Sequence, residues 1–399
     1  MLGLIMSSAT QLRFSESFPI GFGEILLLIW VLSESYIFFA NNRILAFGNG
    51  IVVLLILFIL LSFLTGTIVS LIANLFVLND FLRNFFPILF SSLISVVLIN
   101  LRDKISYFHS FIFYFPIFLI LFLASLLVYS FFQPTLFSYK IFEYRFLGLS
   151  TNPNQLALYL SVIPFMLILR IDMFYSKIQI IISVLLMLAC FAVAYFCKSD
   201  ALFVSWLLGI PLYILYVLKK HRFDIKTLKS IVLRVFFPFA LALIIPLVLF
   251  FQLKNLETEL IATTEAEGNQ GSVRIALWQN GVTVILDSPL FGLGPGAFSG
   301  IEKPYDGMEA HNTFIDLGVN AGLIGLLFYL CLVFLIIKLL YRKNKIMFVW
   351  IISLILFSGF HFVLRQPIFW VYLLFPYLFV RQRDTLGEKN VWNFRLQQS

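Results

Sequence analysis

The sequence predicts an all-α fold, a polytopic transmembrane helical bundle of about eleven to twelve spans with one larger extracytoplasmic loop. Three observations predict it. Of 399 residues, 61% are hydrophobic and 12% charged, whereas a soluble domain carries about 25% charged residues. Apolar runs of bilayer length recur along the chain, and 48 phenylalanines are spread over nearly all of it. Lysine and arginine gather in loops that fall on one side. A water-soluble core stops growing near ~250–300 residues, so this much apolar surface has its natural solvent in a bilayer.

In chain order, spans are expected near 20–40, 48–68, 84–101, 108–130, 155–171, 176–197, 199–218, 231–251, 312–337, 346–363 and 367–380. The opening stretch 1–12 is weakly apolar and too short to cross alone; it supplies the twelfth span if it inserts. No cleavable signal peptide is visible. The stretch 66–83 is apolar but broken, and reads as a candidate surface helix. Cys190, Cys197 and Cys331 lie in or at the ends of apolar runs with no CxxC, which argues for small packing residues over redox or zinc chemistry.

Orientation follows from charge. Lys219, Lys220, Arg222, Lys226 and Lys229 stand against Asp224 alone, and Lys338, Arg342, Lys343 and Lys345 have no acid among them. The tail adds Arg381, Arg383, Lys389 and Arg395. Even numbers of spans separate these segments, so all three lie on the cytoplasmic side. The stretch 252–310, with three bases and eight acids, then lies outside. The net charge of +8 therefore speaks for membrane orientation and not for nucleic acid. The organisation expected is one integral membrane domain, 1–399, with extracytoplasmic loops at 131–154 and 252–311.

Chemistry is expected in those loops. In the second, Ser272 can cap a helix ending before Pro289, on which Arg274 and Trp278 share a face. Pro289, Gly292, Gly294, Pro295 and Gly296 then form a tight turn able to offer free N–H groups to an anion. His311 and Asn312 sit where the chain re-enters the membrane, followed at four-residue spacing by Asp316 and Asn320. Polar groups there are costly, and either function or helix packing accounts for them. In the first loop Arg145 and Gly148 precede Asn152-Pro153-Asn154, in which either asparagine can cap the next helix. Lys198-Ser199-Asp200 forms a third outer turn, while His361 and Arg365 at the outer end of a late span read as a snorkelling pair. Each cation taken singly is equally at home as a headgroup anchor, and Trp278 as an interfacial belt residue. Together Arg145, Lys198, Arg274 and His311 make a set suited to a diphosphate and a hydroxyl.

In this order the residues resemble the O-antigen ligase and polymerase family, bacterial membrane glycosyltransferases with a GT-C-like helical bundle. The resemblance rests on Arg145, Gly148 and Asn152-Pro153-Asn154, then Arg274, Trp278, Pro289, Gly292 and Gly294, then His311-Asn312, Gly322 and Gly325. It covers roughly 140–330. It implies a donor linked to undecaprenyl diphosphate, a sugar hydroxyl as acceptor, an inner-membrane site facing the periplasm, and no metal, nucleotide or other cofactor. By the resemblance Arg145 and Arg274 hold the diphosphate, Lys198, Trp278 and Asn312 help bind diphosphate or glycan, and His311 activates the acceptor hydroxyl or orients it. A chain-length regulator fits as a further partner. Two departures stand out: many relatives have Ser-Arg where this chain has Ser199-Asp200, and an acid where it has Asn320.

Polymerisation of O-antigen or related repeat units is favoured weakly by the modest size of the outer loop. The alternatives are ligation of glycan to lipid A–core and, from another class, a lipid-linked sugar flippase. A flippase needs polar groups along a transmembrane path. Here mid-span charges are few, mainly Glu24, Glu34 and Asp316, and the distinctive residues share one face.

Overall fold

A computed structural model describes residues 1–14, 20–40, 50–101, 105–132, 145–173, 176–221 and 257–386. Every expected span among them is helical, and the run at 231–251 lies outside them. In order the helices are α1 (Leu2–Met6), α2 (Phe22–Ala40), α3 (Gly50–Ile72), α4 (Leu78–Asn100), α5 (Ile105–Phe132), α6 (Pro153–Leu160) and α7 (Ile163–Met173). There follow α8 (Lys177–Cys197), α9 (Asp200–His221), α10 (Glu257–Asp287), α11 (Thr313–Lys343), α12 (Lys345–Ser358) and α13 (Pro367–Leu386). Among the described residues there is no strand, only one antiparallel bridge between Arg13 and Gly21. Six helical stretches among them are long and apolar enough to cross a membrane.

The outward faces follow from composition. On α3, Leu54, Leu57, Leu61 and Leu64 are exposed, as are Leu323, Leu327, Leu330 and Phe334 on α11. Repeating at three and four residues, they present continuous apolar stripes that only acyl chains solvate well. The inward faces are joined by polar contacts that hydrocarbon makes obligatory. The helical run is broken at Ser161, freeing a carbonyl that accepts from Trp206 Nε1 of α9 (2.9 Å) and Ser353 Oγ of α12 (3.3 Å). Tyr372 of α13 donates to the Tyr159 carbonyl at 2.7 Å.

Three expectations are corrected. The stretch 66–83 is no surface helix: α3 continues to Ile72 and α4 begins at Leu78, so it is the hairpin between two spans. Residues 1–12 form no span but a short helix and a 3-10 turn packed inside. Ser7 hydrogen-bonds Tyr159, and Thr10 meets Thr151 and Gln155, so the N-terminal stretch buttresses the start of α6. Ser272 caps nothing, because α10 runs unbroken from Glu257 through it. The Ala- and Glu-rich residues ahead of it favour continuation over a cap.

The longest departure from regular geometry positions the outer loop. Gly322 interrupts α11 with φ 66°. The freed backbone is met by the turn after α10: Leu293 N donates to Val319 O and Gly294 N to Asn320 O, both at 2.8 Å. Leu323 N in turn donates to Pro289 O at 2.8 Å. A Cβ on Gly322 would lie 2.2 Å from the Leu290 carbonyl oxygen, and one on Gly66 of α3 would lie 2.6 Å from Gly294 N. Glycine is required because three backbones meet here.

Candidate functional site

The site forms where the ends of α8 and α12 and the middle of α10 meet the starts of α6, α9, α11 and α13. Arg145 enters first. Its Nε donates to the Cys197 carbonyl (3.1 Å) and its Nη2 to Asn154 Oδ1 (3.0 Å). The Phe146 N to Phe196 O bond of 2.7 Å ties the same segment to the end of α8. The two asparagines divide the work: Asn152 caps α6 by accepting from Asn154 N at 2.8 Å, which leaves the Asn154 side chain to orient the arginine. Lys198, in left-handed conformation with φ 46°, ends α8 at the turn that carries Arg145's anchor. It is exposed, and among the described residues no hydrogen bond ties it to Arg274 or His311.

Arg274 is half-buried on α10 and makes no hydrogen bond or ion pair among the described residues. One turn on, Trp278 Nε1 donates to the Ala310 carbonyl at 3.0 Å, pinning that face of α10 beside His311. Trp278 is thus part of the frame, whatever else its ring contacts.

His311 has φ 52°, an uncommon conformation for a side-chain-bearing residue. Asp316 holds it there. One carboxylate oxygen accepts from Ala310 N (2.8 Å) and the other from Asn312 N (2.9 Å), so the residues on either side of the histidine are held by one side chain. Asn312 caps α11 by accepting from Phe314 N and Ile315 N. Asn320 Nδ2 donates to the Asp316 carbonyl at 2.6 Å, extending the brace. The polar triplet at four-residue spacing therefore builds the backbone that presents His311.

The segment 359–366 closes the site from the other side, and here the snorkelling reading fails. Thr313 Oγ1 donates to the His361 carbonyl (2.6 Å) and accepts from Val363 N (3.2 Å). Arg365 grips Glu309 with both guanidinium nitrogens at 2.7 Å and also bonds Asn84 of α4. So His361 is turned inward against α11, and its Nε2 is buried without a hydrogen-bond partner. No local pattern marked these residues, because Glu309 and Thr313 lie far upstream of them.

Electrostatics link the parts. Burial pushes the His311 imidazole below its ordinary pKa; Glu309 opposes this, and Arg365 and Arg274 reinforce it. Burial drives His361 down to about 3, helped by the charges of His311, Arg274 and Arg145. Both rings are therefore neutral near pH 7, and Arg145, Arg274 and His311 all bear on one buried imidazole.

The glycine-rich turn plays a different part from the one expected. Gly292 N is bonded to Ser288 O, and the N–H groups of Leu293 and Gly294 are spent on α11. It docks the loop into the helix break; these N–H groups are not open to an anion.

The fold and these side chains define a class: an all-α polytopic membrane protein with a polar, cation-rich site at one end of its bundle. Residues 182–330 match the family model for O-antigen ligase (Wzy_C), a similarity consistent with the O-antigen ligase and polymerase family. The match holds Lys198, Arg274, Trp278, His311 and Asn312, while Arg145 and His361 flank it. No curated protein and no solved structure matches the chain.

Proposed function

We propose that this protein transfers a glycan from undecaprenyl diphosphate to a sugar hydroxyl at the periplasmic face of the bacterial inner membrane. The observation that carries the reading is the convergence of Arg145, Arg274, which has no hydrogen bond or ion pair among the described residues, and His311 in a chain whose residues 182–330 match the O-antigen ligase model. In the step, the acceptor oxygen attacks the anomeric carbon and the bond from that carbon to the diphosphate oxygen breaks. The hydroxyl proton passes to neutral His311, and the electron pair leaves with undecaprenyl diphosphate. Arg274 and Arg145 neutralise the charge that grows on the leaving group, and the protein otherwise holds the reactants in line. Lys198 adds long-range attraction for the headgroup. Asn312 and Trp278 keep His311 and Arg274 in register.

The favoured reaction is polymerisation of O-antigen or related repeat units. The description of the matching family, O-antigen ligase, supports a second reading in which the acceptor is lipid A–core. In a strain lacking its own copy, Arg274→Ala and His311→Ala should each abolish long-chain surface glycan at normal protein levels. Unchanged glycan would overturn the assignment. A deletion strain that retains a single repeat on the core marks a polymerase. A bare core, with glycan left on the lipid carrier, marks a ligase.

A further inference from the structure

A buried polar atom with no partner costs about 1–3 kcal/mol, and folded proteins seldom leave one without reason. His361 Nε2 is such an atom. The ring cannot easily turn away. Its own carbonyl accepts from Thr313, the next residue but one accepts no freedom either because Val363 N donates to the same hydroxyl, and Arg365 is clamped to Glu309. Phe357 packs against the ring with centroids 5.1 Å apart. The Arg274 guanidinium, whose charge acts on this ring, also lacks a hydrogen bond or ion pair among the described residues. Two unsatisfied groups, a guanidinium and a neutral imidazole nitrogen, are thus close enough for the charge of one to act on the other.

We propose that His361 is a substrate-binding residue that donates its Nε2–H to a phosphate oxygen of the lipid diphosphate held by Arg274. This rests on the reading above that Arg274 meets the diphosphate. A phosphate oxygen accepts from both groups at once, which satisfies the orphan nitrogen and the free guanidinium together. An uncharged donor suits this position, since a third cation beside Arg145 and Arg274 would tighten the ground state without following the charge that moves in the reaction. His361 and His311 then divide the roles: one touches the leaving group, the other the attacking hydroxyl.

The test is binding of farnesyl diphosphate to the purified full-length protein in detergent, followed by calorimetry. His361→Leu should weaken binding about tenfold, the loss expected for one hydrogen bond to a charged group. His361→Gln, which keeps a neutral donor, should stay within about threefold of the unsubstituted protein. In the unsubstituted protein the 15N resonance of His361, assigned by its absence in the Gln variant, should move when the ligand is added, a readout that needs no Leu variant to fold. Full binding by His361→Leu, or an unmoved resonance while Arg274→Ala loses binding, overturns this inference alone. Binding that is also indifferent to Arg274→Ala overturns the reading of the site.

Discussion

At the scale of single residues, the site is a set of groups whose protonation is chosen by their surroundings. His311 lies in a half-buried position where two arginines oppose its protonated form and one carboxylate, Glu309, favours it. The net effect of burial and charge is downward, so the ring is a free base at neutral pH. Transfer should therefore hold level above pH 7 and fall only below the ordinary histidine value of about 6.5. An acid limb centred above 7 in a pH–rate profile would contradict this. Folding holds His361 near 3, so the unfolded chain binds the extra proton first as pH falls. The stability it contributes is complete above about 6.5 and erodes below it, by up to about 1.4 kcal/mol per pH unit. Activity recovered on return to pH 7 separates titration of the base from this loss of fold.

Some of these residues were legible in sequence and some were not. Arg145, Arg274 and His311 stood out because cations and an imidazole at outer loop boundaries are unusual in so apolar a chain. His361 and Arg365 carried no such signal: their partners, Thr313 and Glu309, are distant in sequence. A four-residue His–Arg spacing at a helix end looks the same whether it faces lipid headgroups or a pocket. Asp316 was legible as an anomaly but not as a brace, because its partners are backbone N–H groups that no side-chain pattern reveals.

At the scale of elements, the decisive feature is the docking of the Pro289–Gly296 turn into the break of α11. Hydropathy gave one uninterrupted span at 312–337, since a single glycine barely alters the average, and the break at Gly322 stayed hidden. The glycine cluster was visible, but its partner was not: free N–H groups suit an anion and a broken helix equally, and here the helix takes them. Gly322→Ala should cost several kcal/mol, because its φ of 66° and a Cβ 2.2 Å from Leu290 O together forbid the docking. Gly307→Ala is the matched control, with φ 49° and nothing within 4 Å of its Cβ, and should cost about 1 kcal/mol. Thermal unfolding in detergent compares them. Equal losses would mean that the close approach of backbones at Gly322 contributes nothing.

At the scale of the whole molecule, apolar stripes face outward and polar stitches join the inside, so the bundle holds its shape in a solvent that cannot repair a broken hydrogen bond. Helix ends and the middle of α10 then bring residues from distant parts of the chain together. Arg145 arrives before α6, Arg274 on α10 and His361 after α12, with His311 between them at the start of α11. A flippase would spread such groups along a path across the bilayer; gathering them at one end suits an enzyme that works at one surface. The fold class was readable from composition alone, because charge and hydropathy are averages over many residues. The meeting of loops was not, because it depends on single contacts such as Trp278 with Ala310.

The central claim is that Arg274 meets the diphosphate of a lipid-linked glycan while a sugar hydroxyl displaces it. Its most direct test is reconstitution of the purified protein in liposomes with a repeat unit linked to undecaprenyl diphosphate, measuring free undecaprenyl diphosphate and product glycan together. The unsubstituted protein should release one carrier for each glycosidic bond formed, and Arg274→Ala should be slower by at least about a hundredfold, the scale of losing one preorganised charge contact. Carrier release at the same rate in both proteins, or glycan formed without carrier release, would contradict it.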